Sequence, residues 1–86
     1  MKEGTTSTGF AYTIEDERLD DYETFELLCE LDEGKTAVLP KVIKALLGDE
    51  QEKALRAHLK ARDGRVATTA MMAEVSEILN GDGLKN

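Results

Sequence analysis

The chain has few of the residues that usually carry catalysis, metal binding or covalent cross-linking. Its 86 residues include one cysteine, one histidine, one proline and no tryptophan. A single cysteine excludes an intramolecular disulfide, and because Cys29 lies in an apolar stretch we expect a reduced, buried thiol. Neither Cys29 nor His58 has a CxxC or HxxxH companion for zinc, and no third group is evident to orient them as a nucleophile pair. The sequence therefore predicts no metal site, no cofactor and no enzymatic activity.

Long apolar runs are also missing. No segment approaches the roughly 18 consecutive apolar residues that a membrane span needs, and residues 1–9 lack the apolar core of a signal peptide. We therefore expect no membrane association and a cytoplasmic location, which the single reduced thiol also favours. A chain of 86 residues can bury one modest core, near the size at which small proteins gain stability from a partner or from self-association.

Charge is abundant and unevenly distributed. The net charge is −7; residues 15–33 contain ten acidic residues against Arg18 alone, whereas residues 35–62 contain seven basic and three acidic residues. The acidic segment argues against binding of a nucleic-acid duplex, because the phosphates of a duplex are bound by Lys and Arg. We therefore expect no nucleic-acid partner. Two alternatives remain for the segments: they lie against each other, or their charges are solvated helix faces.

Apolar periodicity and helix-boundary signals predict four short helices. The first begins with a capping box formed by Asp20 and Glu23 and ends at Gly34. The second starts around Pro40 and should be the most buried, since its apolar residues share one face. That face consists of Leu39, Val42, Ile43, Leu46 and Leu47. The fourth covers about residues 68–79.

The turn between the second and third helices is predicted to organise the others. Gly48 can adopt the positive φ that ends a helix, while Asp49 and Glu52 form a capping box for a third, surface-exposed helix over about 50–62. A connection this short makes the two helices immediate neighbours in an angled or antiparallel pair.

The N-terminal segment has the periodicity of a strand. Phe10, Tyr12 and Ile14 alternate with small or polar residues, which predicts a short strand or extended arm. A lone strand cannot form a sheet, so the arm either packs on the chain's own helices or waits for a strand from another chain.

The predicted fold is mainly α, a small bundle of about four short helices with a short N-terminal extended arm or strand. The predicted organisation is a flexible N-terminus over 1–9, a single helical domain over 10–80 with the arm at 10–14, and a flexible C-terminus over 81–86. All four aromatic residues lie in the arm and the first helix. We therefore predict a partner-binding surface made of Phe10, Tyr12, Ile14, Tyr22 and Phe25.

Several helix-boundary motifs resemble a small family encoded in tailed-phage and prophage genomes of Gram-positive bacteria. The motifs lie between about residues 12 and 79: LDDYE at 19–23, GKTAVLP at 34–40, LLGDEQ at 46–51, HL at 58–59 and DGRV at 63–66. The resemblance implies a tail assembly chaperone or related tail protein of the infected or lysogenic host. Its implied partner is the long helical tape-measure protein, kept soluble while tail-tube subunits assemble. The alternative, based on charge, is an acidic phage-encoded inhibitor that mimics nucleic acid and binds a host protein.

Overall fold

The computed structural model describes residues 1–80 and confirms the mainly α fold with a short N-terminal extended segment. The elements are β1 (Lys2–Thr5), β2 (Ala11–Ile14), α1 (Asp16–Leu19), α2 (Tyr22–Asp32), a 3₁₀ turn (Thr36–Val38), α3 (Leu39–Asp63) and α4 (Thr68–Leu79). The predicted flexible C-terminus, 81–86, lies outside the described residues.

The N-terminal segment forms a β-hairpin. β1 and β2 pair antiparallel, with Lys2 opposite Ile14. Residues 1–9, which we expected to be flexible, therefore contain a strand. Local pattern could not predict β1 because it has no apolar alternation of its own, and its order comes from pairing with β2.

One apolar core lies between the hairpin and the helices. Its buried members are Phe10, Tyr12, Ile14, Leu39, Val42, Ile43, Leu46, Leu47, Leu55, Leu59, Met71, Val75 and Ile78. The apolar face predicted for the second helix is buried throughout, as expected for its spacing. α2 adds only partly buried leucines to this core, so it lies at the periphery.

α3 is interrupted at Gly48. The backbone there has φ 83° and ψ 166°, a conformation outside the helical region that essentially only glycine adopts. The predicted boundary and its positive φ are confirmed, although ψ is extended. The break divides α3 into a first limb, residues 39–47, and a second limb, residues 49–63.

Two side chains, those of Arg18 and Gln51, bind the backbone around this break. Arg18 Nη1 donates to the carbonyl of Ala45 at 3.1 Å, and Gln51 Nε2 donates to the carbonyl of Leu47 at 2.8 Å. Gln51 also exchanges two hydrogen bonds with the backbone of Thr13 in β2, at 2.8 and 2.7 Å. Two carbonyls next to the break, those of Ala45 and Leu47, thereby gain side-chain donors, and α1 and β2 are joined to α3.

The two predicted capping boxes have different partners in the structure. Glu52 does not cap the second limb with Asp49; its buried carboxylate forms an ion pair with Arg56 Nε at 2.9 Å. At α2 the prediction is wrong by one residue: Asp21, rather than Asp20, accepts the hydrogen bond from a first-turn amide. Asp20 instead follows α1, a short helix that the apolar pattern did not indicate.

Replacing Gly48 by Ala tests the break. The added Cβ would displace the flexible end of Arg18, whose Nη2 lies 2.9 Å away, and alanine would have to adopt φ 83° and ψ 166°, a conformation that essentially only glycine adopts. We expect the free energy of unfolding, measured by chemical denaturation, to fall by about 2–3 kcal/mol. The control is Gly64→Ala, where φ is also 83° but ψ is −12°, in the left-handed helical region, and no atom lies within 4 Å of the added Cβ. That control should lose only about 1 kcal/mol, and equal losses would contradict the account.

Candidate functional site

Three of the five predicted partner-binding residues lie in the core. Phe10, Tyr12 and Ile14 are 7%, 8% and 0% exposed. Their alternation is that of a strand with one buried face, and pairing with β1 turns that face onto the helices. Of the two alternatives for the arm, packing on the chain's own helices is the one observed, with the pairing strand supplied by the same chain.

The other two predicted residues, Tyr22 and Phe25, are exposed together on α2. Tyr22 is 73% exposed and Phe25 is 59% exposed, and their ring centroids lie 6.4 Å apart. Cys29, one turn further along, is also exposed. We call Tyr22, Phe25 and Cys29 the aromatic face of α2. Adjacent exposed aromatic side chains are typical of protein-binding surfaces.

α2 turns its leucines, rather than its aromatic face, toward the core. Leu27, Leu28 and Leu31 are partly buried against it, and Thr24 is buried. The expectation of a buried thiol is therefore wrong, since Cys29 lies on the solvent side. α2 has apolar residues on two sides, and periodicity alone allowed either side to face the core.

The aromatic face is set in an acidic surface. α2 contains Glu23, Glu26, Glu30 and Asp32 and no basic residue, and within residues 1–80 none of the four forms an ion pair. In the described chain a single ion pair connects the acidic segment to residues 35–62. It joins Glu33 to Lys35, two positions apart in the sequence, at 3.7 Å. This favours the solvated-face alternative. A partner for this surface needs apolar side chains flanked by basic groups.

A second polar group joins the hairpin turn to α4. Glu74 is only 1% exposed, and its carboxylate oxygens accept hydrogen bonds from the hydroxyls of Thr6 and Thr8 at 2.8 and 2.9 Å. Thr8 Oγ1 lies 3.0 Å from His58 Nε2, and the His58 ring packs beside Phe10 with centroids 5.7 Å apart. The buried carboxylate is thereby satisfied, and the turn is fixed to two helices.

The order of groups in this cluster differs from that of a hydrolytic triad. In a triad the imidazole lies between the nucleophile and the carboxylate, whereas here the Thr8 hydroxyl lies between His58 and Glu74. Cys29 belongs to the aromatic face and takes no part. Among residues 1–80, no three His, Cys, Asp or Glu side chains are grouped to hold a metal ion. The cluster is arranged to anchor the turn.

Glu77 makes a second contact with the same turn. Its carboxylate accepts hydrogen bonds from the hydroxyl and the backbone amide of Ser7, both at 2.7 Å. These two bonds, the hydroxyl's first, hold the pKa of Glu77 below its ordinary value of 4.5. The partners are 70 residues apart, so helix periodicity gave no signal for the contact.

Comparison with known proteins does not assign the chain to a family. No protein-family model, curated protein or solved structure matches the chain. The resemblance to tail proteins therefore stays a prediction. In the described part of the chain, every helix is too short or too polar to cross a membrane.

The contact between the turn and α4 can be tested through pH. Because the folded pKa of Glu77 is lowered, its ionised form contributes stability above about pH 4.5, and that contribution is lost as the pH falls through the folded pKa. Between about pH 6 and about pH 3 the wild type should lose more thermal stability than Glu77→Gln. The exposed control Glu50→Gln should follow the wild type. A Glu77→Gln profile parallel to the wild type would exclude this role.

Proposed function

We propose that this chain is a non-enzymatic protein-binding module that recognises a helical partner through the aromatic face of α2. The observation that carries the proposal is the exposure of Tyr22 and Phe25 beside each other on a helix whose other side packs on the core. Burying two aromatic side chains supplies much of the energy of a typical interface, and two-torsion aromatic rings lose little conformational entropy on binding.

The surroundings of the face define the partner's chemistry. An amphipathic helix could lay an apolar stripe over Tyr22 and Phe25 while its flanking Lys or Arg residues approach Glu23 and Glu26. Apolar contact would then supply most of the affinity, and the charges would orient the partner and increase the rate of encounter. A long helical protein with exposed apolar faces is a client of this type.

The specific form of the proposal is a phage tail assembly chaperone. Its client would be the tape-measure protein or the tail-tube subunits, and it would act in the cytoplasm of the infected or lysogenic bacterium. The resemblance of the helix-boundary motifs supports this form, and the exposed aromatic face is compatible with masking a client helix before assembly.

A second candidate is an acidic inhibitor that mimics nucleic acid. Ten acidic residues lie within 15–33, and those of α2 make no ion pair in the described chain, which favours a strongly basic host protein as partner. In this candidate the carboxylates supply the affinity and the aromatic rings contribute little.

The double variant Tyr22→Ser/Phe25→Ser tests the chaperone proposal. Co-expressed with the tape-measure protein of the same genome, it should recover about tenfold less client than the wild type, which corresponds to losing about 1.4 kcal/mol of binding energy. Tyr22→Phe/Phe25→Tyr is the matched control, because it preserves the aromatic contact area. Circular dichroism checks that both variants retain the fold.

Salt and charge variants distinguish the two candidates. Apolar binding should survive an increase from about 0.1 to about 1 M salt, over which the Debye length falls from ~10 to ~3 Å. An inhibitor would instead release its basic partner in high salt and lose binding when Glu23, Glu26 and Glu30 are changed to Gln. Undiminished client recovery by the folded Tyr22→Ser/Phe25→Ser variant would eliminate the chaperone proposal.

A further inference from the structure

A groove with an apolar floor lies between the two limbs of α3, beside the 3₁₀ turn and the start of α4. Its floor is lined by Leu39, Pro40, Ile43, Val66 and Met71, and its volume is about 470 Å³. That volume is within the range of roughly 300–1,000 Å³ typical of binding pockets. The groove shares no residue with the aromatic face of α2.

The edge of the groove is basic. Lys44 and Arg56 line it together with the carboxylate of Glu52, and a neighbouring hollow, which shares Arg56, is also lined by Lys53 and Lys60. Arg56 is paired with Glu52, but the three lysines are exposed and form no ion pair within the described residues. We call Leu39, Pro40, Ile43, Val66 and Met71, with Lys44 at the edge and Lys53 in the adjoining hollow, the α3 groove. Its edge attracts an acidic partner.

We propose that the α3 groove binds α2 of a second copy of this chain. The aromatic face supplies two exposed rings for the apolar floor, and Glu23 and Glu26 beside them supply the charge opposite to Lys44 at the groove edge and Lys53 in the adjoining hollow. The contact would place carboxylates that form no ion pair in the described chain next to lysines that form none. No existing ion pair would have to break. The inference goes beyond the proposed function and stands whether or not a client exists.

The contact is head-to-tail, because the two surfaces are different parts of the chain. Each copy offers one α2 and one groove, so the assembly is either a ring, of which a reciprocal dimer is the smallest, or an open chain. The same α2 face is needed for the proposed client, so client binding and self-association exclude each other. A client would therefore dissociate the assembly into single copies.

The test combines two variants that each lack one surface. The α2 variant is Tyr22→Ser/Phe25→Ser, and the groove variant is Lys44→Glu/Lys53→Glu; all four side chains are exposed, so the fold should be retained. Lys41→Glu/Arg62→Glu makes the same change in charge outside the groove. Mass is measured by sedimentation of the full chain from about 1 µM to about 1 mM, the range of weak association constants.

The wild type and the charge control should associate with rising concentration, to at least twice the chain mass of 9.5 kDa. Each variant alone should remain a monomer, while an equimolar mixture should form dimers and nothing larger, since it contains one intact surface of each kind. A monomeric wild type, association of either variant alone, or a mixture that stays monomeric would each overturn the proposal. The groove variant distinguishes the two proposals, because its α2 face is intact. Its self-association tests the inference, and its binding of the client tests the proposed function.

Discussion

The hydrogen bonds of Gln51 at the break in α3 are the contact on which the remaining structure depends. Glycine permits the sharp change of direction at Gly48, but a helix that stops inside a protein leaves carbonyl groups without partners. Gln51 satisfies the carbonyl of Leu47 and both backbone groups of Thr13. One side chain therefore closes the helix end and places β2 on α3, with Tyr12 and Ile14 directed into the core.

Both candidate interaction surfaces follow from this arrangement. Because β2, α3 and α4 fill the core, α2 needs to bury only part of its leucines, and its aromatic face remains in solvent. The α3 groove lies between the limbs that the break at Gly48 separates. The anchor formed by Glu74 and Thr6 then holds the hairpin turn to the far side of the bundle. The chain thus combines a fixed core with two exposed apolar surfaces of opposite surrounding charge.

Local signals in the sequence were sufficient for α2, α3 and α4, but they missed the short α1 and were insufficient for contacts between distant segments. The break at Gly48 and the buried face of the first limb followed from spacing and glycine chemistry. β1 could not be predicted, because its order depends on a strand that follows it by several residues. Cys29 was placed on the wrong side, since α2 has apolar residues on both sides. The anchor joins Thr6 to Glu74 across 68 residues. Its only signal in the sequence was a run of hydroxyl residues near the N-terminus and two acidic residues, three positions apart, in an otherwise apolar helix.

The most direct test of the central role of Gln51 is the free energy of unfolding of Gln51→Ala compared with that of Glu50→Ala. The account predicts a loss of about 1–3 kcal/mol for Gln51→Ala, because three backbone groups lose their partner, and a change within about 0.5 kcal/mol for the exposed neighbour. Equal, small effects of the two substitutions in chemical denaturation would contradict it.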